Sequence, residues 1–245
     1  MKLFGLIGYP LSHSFSKKYF SAKFLNENIQ DCEYQNFEIP EIEQLVEIIK
    51  SNPDLKGLNV TIPYKEQILP YVDSLDKSAE FVGAVNVVKV STDGKLIGYN
   101  SDYYGFMESL KKFLPDDFSG FKALILGTGG AAKAVEGALK SLQIPYQYVS
   151  RKKVGILGYE DLSQSLIAEH KLIINATPLG MFPKVDTCPE LNYDWITASH
   201  YFFDIVYNPE TTLFMQKGID RGAKVKNGLE MLHLQADKAW EIWNS

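Results

Sequence analysis

Residues 121–153 read FKALILGTGGAAKAVEGALKSLQIPYQYVSRKK, and this stretch decides the fold of the chain. It begins with an apolar run of strand length and continues with a glycine loop at residues 127–132. A helical run of small residues then extends to Leu142, and Pro145–Ser150 has the pattern of a second strand. Strand, glycine loop, helix and strand in this order are typical of a dinucleotide-binding βαβ unit. The stretch therefore predicts an α/β protein with a Rossmann-like, doubly wound nucleotide domain.

The glycine loop supplies the contacts that a nucleotide needs. Gly127 and Gly129 allow the chain to turn sharply. The backbone N–H groups of Gly130 and Ala131 then stand at the positive end of the helix, where a pyrophosphate binds. The same Gly-x-Gly-x-x-Ala pattern is compatible with an ordinary tight turn between a strand and a helix. These four residues are our candidates for cofactor binding.

The end of the second predicted strand distinguishes NADP from NAD. An NAD site has an acidic residue about 20 residues after the glycine loop, where it binds the ribose 2′-hydroxyl. This chain has Ser150, Arg151, Lys152 and Lys153 at that place, with no acid. Cations there can pair with a 2′-phosphate, and Arg151 can do so through two parallel hydrogen bonds. We therefore predict NADP as the cofactor, with a solvated basic turn as the alternative.

The composition is that of a globular protein with a sizeable core. The 245 residues are 45% hydrophobic and 22% charged, and the net charge of −5 does not favour a nucleic-acid partner. Pro10 ends the N-terminal apolar run too early for a signal peptide, and no long apolar run indicates a membrane span. Cys32 and Cys188 show no ligand spacing, and the four histidines are scattered. We therefore expect no metal site and a cytoplasmic location.

The first hundred residues predict a compact α/β unit of their own. Asp93-Gly94 lies between two strand-like runs and is a strong hairpin signal. Later in the chain, Thr211–Lys217 predicts a short helix with Thr211 as a possible cap, and Gly228–Trp243 predicts a closing helix.

Polar residues recur where the predicted strands of this first unit give way to helices. Lys65, for example, falls just past the carboxyl end of a strand, which is where open α/β sheets place ligands. Structural alternatives exist, because serines cap helices, Asn86 can serve its hairpin and Lys65 can be a solvated lysine. Together these residues describe a pocket for a small molecule with many hydroxyl groups. They are Ser14, Ser16, Asn59, Thr61, Lys65, Asn86 and Asp102.

Lys65 and Asp102 are the pair we expect to manage proton transfer. When a hydride reduces a ketone, an alkoxide forms and a proton must be supplied to its oxygen. A lysine can supply that proton, while a nearby carboxylate orients the lysine and hydrogen-bonds the substrate. The alternatives for the pair are a plain salt bridge or no contact.

Several motifs of the chain occur together in one enzyme family. They are GYPLSHSFS at 8–16, NVTIPYK at 59–65, GAVN at 83–86, GYNSD at 98–102, the glycine loop at 127–132, NATP at 175–178, DIVYNP at 204–209 and GLEMLHLQA at 228–236. With these motifs in this order, the chain resembles the shikimate dehydrogenase family over nearly its whole length. Ser150-Arg151-Lys152 stands where that family commonly has Asn-Arg-Thr.

The resemblance implies a role for each matching residue. Lys65 and Asp102 match the catalytic lysine and aspartate, and Ser14 and Ser16 match the two serines that bind the substrate carboxylate. Tyr207 corresponds to a tyrosine that approaches the same carboxylate. Further substrate contacts are implied for Asn59, Thr61, Asn86 and Gln235. Nucleotide-side positions are implied for the glycine loop, Thr177 and Gly228.

The resemblance also implies a fold and a reaction. It implies two α/β domains around a cleft: a substrate domain of residues 1–102, on which the helix 228–245 packs back, and an NADP-binding Rossmann domain of residues 103–227. It implies reversible NADPH-dependent reduction of 3-dehydroshikimate to shikimate, in the biosynthesis of chorismate and aromatic amino acids. We expect a monomer or homodimer that binds this small molecule and neither nucleic acid nor membrane. The alternatives are a quinate or dual-substrate dehydrogenase and a nucleotide sensor without turnover.

Overall fold

The computed structural model describes residues 1–11, 14–151 and 155–245. The chain forms two compact units, one of residues 1–101 with 235–245 and the other of residues 102–234. The unit boundaries fall after the first residue of one helix, Ser101–Phe113, and inside another, Leu229–Asn244. The domain bounds that the sequence indicates remain a prediction.

A six-stranded mixed sheet organises the first unit, in the order β2-β1-β3-β5-β6-β4. β1 runs parallel to β2 and β3, while β5 runs antiparallel to both β3 and β6. The β5–β6 hairpin turns at Asp93-Gly94, where Gly94 has φ +81°, and this confirms the predicted hairpin. The strands are β1 (Lys2–Gly8), β2 (Cys32–Glu38), β3 (Leu55–Val60), β4 (Ser74–Leu75), β5 (Val87–Val90) and β6 (Leu96–Tyr99).

Helices cover both faces of this sheet because the strands are apolar on both faces. In β3, Leu58 and Val60 point into one hydrophobic cluster, and Asn59 between them points to the opposite face. The opposite cluster contains Phe20 from α1 and Trp243 from α9. The helices of this unit are α1 (Phe15–Asn26), α2 (Leu45–Ser51), α3 (Tyr64–Gln67), α4 (Lys77–Val82) and the end of α9 (Leu229–Asn244), with 3₁₀ turns at Ile42–Gln44 and Leu69–Tyr71.

A five-stranded parallel sheet organises the second unit, in the order β11-β10-β9-β7-β8. All four residues of each of the strands β7, β9 and β10 are buried, as expected for a parallel sheet covered on both faces. The strands are β7 (Ala123–Leu126), β8 (Tyr146–Val149), β9 (Leu172–Asn175), β10 (Tyr201–Asp204) and β11 (Lys224–Lys226).

The helices of the second unit lie in two groups, one for each face of the sheet. One hydrophobic cluster joins α5, α6 and the start of α9 to the sheet, and another joins α7 and α8 to its other face. This is a doubly wound α/β unit, as predicted. The helices are α5 (Ser101–Phe113), α6 (Gly130–Ser141), α7 (Gln164–Glu169), α8 (Leu213–Ile219) and the start of α9, with 3₁₀ turns at Tyr159–Asp161 and Tyr193–Trp195.

The predicted cap of α8 was wrong by one residue. Thr212 occupies the N-cap position, and its hydroxyl accepts a hydrogen bond from the Met215 backbone N–H at 3.3 Å. The same hydroxyl donates to the buried carboxylate of Asp204 at 2.5 Å, which holds it at the helix start. Thr211 therefore lies one residue before the cap.

Candidate functional site

One edge of the first sheet collects the polar residues that the sequence indicates. β3 and β6 are both antiparallel to β5, so both end at the edge where β5 begins. β1 is parallel to β3 and ends there too. The backbone joins these ends directly, since Thr61 N–H donates to Ile7 O at 2.9 Å and Val60 N–H donates to Asn86 O at 2.8 Å. Thr61, Lys65 and Asn86 therefore follow or precede strands at a common edge.

The loop after β1 is held against this edge. Tyr9 N–H donates to Ile62 O at 3.1 Å, and Leu11 N–H donates to the Glu38 carboxylate at 2.9 Å. A β-carbon on Gly8 would overlap the Thr61 methyl group, so only glycine allows this close approach of the two loops. The loop thereby brings Ser14 to the start of α1 beside the sheet edge.

Ser14 occupies the N-cap position of α1 without capping it. Its side chain makes no cap hydrogen bond, and its buried Oγ has no partner among the described residues. A serine at this position normally accepts from the backbone of the first helical turn. A buried hydroxyl without a partner is costly, so this group is suited to a ligand that supplies one. Ser16, in the first turn of α1, is half-buried.

Asn86, Ser101 and Gln235 form a buried hydrogen-bond network. The Asn86 Oδ1 accepts from the Ser101 backbone N–H at 2.7 Å, and the Asn86 Nδ2 donates to the Ser101 hydroxyl at 3.0 Å. That hydroxyl lies 3.4 Å from Gln235 Oε1. Two predicted substrate residues are thus joined through Ser101, which sequence reasoning missed although it lies inside the Asn-Ser-Asp motif.

The two predicted acid–base residues each follow a strand of the first sheet. Lys65 is half-buried in α3, and its backbone carbonyl accepts from Val85 N–H at 2.7 Å. Asp102 is 8% exposed and follows Ser101 as the second residue of α5. Their joint action on one substrate remains a prediction.

Gly127 opens the turn after β7 in a conformation that favours glycine. Its φ is +102°, and a β-carbon there would lie 2.8 Å from the Thr177 Cγ2. Gly127 and Thr177 therefore meet at the carboxyl ends of the neighbouring strands β7 and β9. Because β8 lies on the other side of β7, this is the switch point of the sheet, where α/β proteins bind their ligands.

No side-chain cap is found at the start of α6 in the described part of the chain. Gly129 is its N-cap and makes no side-chain cap hydrogen bond, and a β-carbon on Gly129 would meet no heavy atom of the described residues within 4 Å. The first N–H groups of this 12-residue helix, beginning with Gly130 and Ala131, therefore receive no cap from the N-cap side chain. These features fit a pyrophosphate, because the donors and the positive end of the helix dipole are both available to it.

The basic turn follows β8, which pairs with β7. Ser150 N–H donates to Leu157 O at 2.9 Å, and Arg151 is exposed. Burial raises the pKa of Tyr159 to about 12, and the nearby positive charge of Arg151 acts against that rise. Arg151 is therefore a cation at the carboxyl end of the strand next to the glycine turn. Lys152 lies outside the described residues.

A second buried network ties the loops after β9 and β10 together. Asn175 donates from Nδ2 to Asp204 Oδ1 at 3.0 Å, and its Oδ1 accepts from the Thr177 hydroxyl at 2.6 Å. Asp204 also accepts from Thr212 and from the Val206 N–H. Burial raises the pKa of Asp204 to about 7, while these hydrogen bonds oppose the rise. Sequence reasoning missed this contact. The available signal was that two apolar strands, β9 and β10, each end in a polar residue, Asn175 and Asp204.

Two further predicted residues lie near the end of β10. Tyr207 is half-buried, and burial raises the pKa of its hydroxyl. Gly228 N–H donates to Val206 O at 3.1 Å, and a β-carbon on Gly228 would overlap the Ile205 carbonyl. Position 228 therefore requires glycine, because the backbone there packs closely against the residues that follow β10.

Metal-binding clusters and membrane-spanning helices are both absent from the described residues. Within residues 1–11, 14–151 and 155–245, no group of three or more His, Cys, Asp or Glu side chains is arranged to hold a metal ion. In the same residues, no helix combines the length and the apolar character needed to cross a membrane.

Comparison with known proteins decides the family. The model of the shikimate dehydrogenase substrate binding domain matches residues 6–88. A shikimate dehydrogenase (NADP(+)) of Clostridium beijerinckii is 41% identical over 259 residues, which cover 99% of this chain and 92% of the relative. The chain belongs to the shikimate dehydrogenase family. The family membership predicted from the sequence motifs is thereby confirmed.

Solved shikimate dehydrogenases share the fold. The Thermus thermophilus shikimate 5-dehydrogenase, solved in complex with NADP(H) and shikimate, has a TM-score of 0.86 at 29% identity, covering 99% of this chain and 93% of that one. Shikimate dehydrogenase 1 of Peptoclostridium difficile has a TM-score of 0.84 at 35% identity, covering 100% and 92%. The predicted α/β fold with a Rossmann-like unit is therefore confirmed.

Proposed function

We propose that this protein catalyses the reversible NADPH-dependent reduction of 3-dehydroshikimate to shikimate, in aromatic amino acid biosynthesis. The observation that carries the proposal is the 41% identity, over 99% of the chain, to a protein named shikimate dehydrogenase (NADP(+)). The polar edge of the first sheet and the open glycine turn of the second supply the chemistry that this reaction needs.

The first sheet edge is the proposed substrate site. The Ser14 hydroxyl, which has no hydrogen-bond partner among the described residues, suits a carboxylate together with Ser16, because a carboxylate accepts hydrogen bonds only. Amide groups both donate and accept, so they suit ring hydroxyls. We assign this second role to Asn59, Asn86 and Gln235, with Thr61 beside them. The family motif adds Tyr207 as a further partner of the carboxylate.

The glycine turn of the second unit is the proposed NADP site. Gly127, Gly129, Gly130 and Ala131 would hold the pyrophosphate at the uncapped start of α6. Ser150, Arg151 and Lys152 would hold the 2′-phosphate, for which an arginine fork is well shaped. Thr177, which packs on Gly127, and Gly228 complete the proposed set. Bound NADPH supplies a hydride to the substrate carbonyl carbon.

Lys65 and Asp102 perform the proton chemistry of the proposed reaction. Lys65 holds a proton at the carbonyl oxygen and gives it up as negative charge develops there. Asp102 accepts a hydrogen bond from the same substrate oxygen once it is a hydroxyl, and orients the lysine. In the reverse direction, the neutral lysine takes the hydroxyl proton.

The cellular setting follows from the reaction. We propose that the protein works in the cytoplasm as a monomer or homodimer, without nucleic acid or membrane as a partner. The substrate domain would consist of residues 1–102 with the helix 228–245, and the nucleotide domain of residues 103–227.

A four-way assay tests the proposal. The purified protein is given shikimate or quinate as substrate with NADP+ or NAD+ as oxidant, and the reduced nucleotide is followed by its absorbance. We expect the highest kcat/KM with shikimate and NADP+. Faster turnover of quinate would favour the quinate alternative, and the absence of turnover with either acid would contradict the proposed enzyme.

A further inference from the structure

The buried hydroxyl of Tyr34 contacts a proposed substrate residue. Tyr34, on β2, is 3% exposed, and its hydroxyl donates to Asn59 Oδ1 at 2.7 Å. Asn59 is 5% exposed on β3 and points to the face of the sheet that carries the apolar cluster of α1 and α9. Two polar groups are thus buried among aromatic rings and bonded to each other.

The Tyr34 hydroxyl is not needed for packing. The ring stacks on Phe20 with centroids 4.7 Å apart and lies 6.3 Å from the Trp243 ring. A phenylalanine could make the same ring contacts without desolvating a hydroxyl, which is costly unless a hydrogen bond compensates it. The hydroxyl therefore contributes through its hydrogen bond to Asn59.

The direction of that hydrogen bond determines which amide atom of Asn59 is available. The Tyr34 hydroxyl has one proton, and it donates this proton to Asn59 Oδ1 at 2.7 Å. The Ser16 side chain neighbours the same phenol oxygen. The Nδ2 group points away from Tyr34 and has no acceptor in residues 1–11, 14–151 and 155–245. Asn59 therefore presents the two N–H donors of its Nδ2 group to a ligand.

We infer that Tyr34 is a positioning residue, which fixes the Asn59 amide so that its N–H₂ group faces the substrate and binds an oxygen acceptor there. This inference rests on the proposed function, because it concerns the substrate of that site. Tyr34 acts before the substrate arrives: an amide held in one orientation loses less conformational entropy on binding than one free to turn over.

The substitution Tyr34→Phe tests the inference in the shikimate and NADP+ assay. Removal of one orienting hydrogen bond raises the KM for shikimate by about fivefold. The kcat stays within about twofold and the KM for NADP+ is unchanged, since neither Lys65 nor the glycine turn is touched. Tyr193→Phe is the matched control: it removes a hydroxyl of the second unit that donates to Pro189 O at 3.0 Å and neighbours Cys188, and it leaves every kinetic constant unchanged.

A double-mutant cycle separates positioning from packing. If Tyr34 acts through Asn59, then Tyr34→Phe has no further effect on kcat/KM in an Asn59→Ala background. An equal effect in both backgrounds would overturn the inference, because Tyr34 would then act through packing or through the neighbouring Ser16 and not through Asn59. Asn59→Asp is a second test that leaves Tyr34 intact: it keeps an acceptor for the phenol but removes the donor, so the KM for shikimate rises by about tenfold or more.

The outcomes distinguish the inference from the function it rests on. If the unmodified protein oxidises shikimate but Tyr34→Phe or Asn59→Asp leaves the KM for shikimate unchanged, the inference fails and the proposed function stands. If the unmodified protein does not oxidise shikimate, both fail.

Discussion

Lys65 has a position that suits a proton donor, half-buried in a short helix just past the carboxyl end of β3. We predict that Lys65→Met lowers kcat by about 10²-fold or more, the usual contribution of a positioned acid or base. Lys56→Met is the control, because Lys56 is an exposed lysine of the same strand, and it leaves kcat unchanged. A Lys65→Met enzyme with nearly normal kcat would show that the proton comes from another group.

Arg151 is the exposed cation that we expect to meet the 2′-phosphate of the nucleotide. Its replacement by alanine removes charge-assisted hydrogen bonds, so the KM for NADPH rises by roughly tenfold or more and the KM for 3-dehydroshikimate changes little. Arg221→Ala, which removes an exposed arginine that pairs with Asp194, serves as the control. Equal increases in both KM values for Arg151→Ala would mean that the basic turn does not contact the phosphate.

Asp204 is expected to make the free energy of unfolding depend on pH, and a single substitution removes its contribution. Burial raises the pKa of Asp204 in the folded protein to about 7, whereas the pKa of an aspartate in an unfolded chain is about 3.9. The stabilisation from this proton is therefore complete below about pH 4 and is lost as the pH rises through about 7. Asp204→Asn keeps the side-chain shape and the Oδ1 acceptor, and it removes the titration.

Urea unfolding at pH 5 and pH 8 checks this prediction. The unmodified protein is expected to lose more unfolding free energy between these two pH values than Asp204→Asn does. Parallel losses in the two proteins would show that Asp204 is ionised over the whole range.

Two glycines before helix α6, Gly127 and Gly129, allow effects on nucleotide binding and on folding stability to be tested separately. Among the described residues, no heavy atom lies within 4 Å of the β-carbon position of Gly129, whose φ is an ordinary −78°, whereas Gly127 has φ +102° and its β-carbon position lies against Thr177. Gly129→Ala is therefore expected to fold, with Tm lowered by no more than about 4 °C, while its methyl group occupies the space proposed for the pyrophosphate.

Kinetics and melting of the two glycine variants check that separation. Gly129→Ala raises the KM for NADPH by about tenfold, the equivalent of one hydrogen bond to a charged group. Gly127→Ala lowers Tm by clearly more, because the backbone strain alone costs roughly 1–3 kcal/mol. A Gly129→Ala protein with an unchanged KM for NADPH would contradict a pyrophosphate at this helix start.

The elements that the sequence predicted are those with local causes. The glycine turn and the Asp93-Gly94 hairpin depend on backbone conformations that a few adjacent residues impose. The cap of α8 was misplaced because Thr211 and Thr212 are equivalent in sequence, and only the contact of Thr212 with Asp204 distinguishes them. Ser14 has the sequence of a helix cap, yet its side chain makes no cap hydrogen bond.

At the scale of the whole molecule, what sequence reasoning missed is non-local. The strand order β2-β1-β3-β5-β6-β4 results from pairings between distant segments. Tyr34 meets Asn59 across 25 residues, and Ser101 meets Gln235 across 134. Sequence motifs predict residues for ligand contact, whereas the hydrogen-bond partners of those residues are visible only once the strands are paired.

The proposed reaction needs residues of both units, and a crystal structure of the Lys65→Met variant with shikimate and NADP+ would show whether they act on one substrate. We expect shikimate on the polar edge of the first sheet, with its carboxylate on Ser14 and Ser16. The Asp102 carboxylate is expected within hydrogen-bonding distance of the hydroxyl that becomes the ketone, and the carbon bearing that hydroxyl faces the nicotinamide ring at about 3–3.5 Å. Shikimate bound elsewhere, or oriented with that carbon away from the nicotinamide, would rule out the proposed reaction.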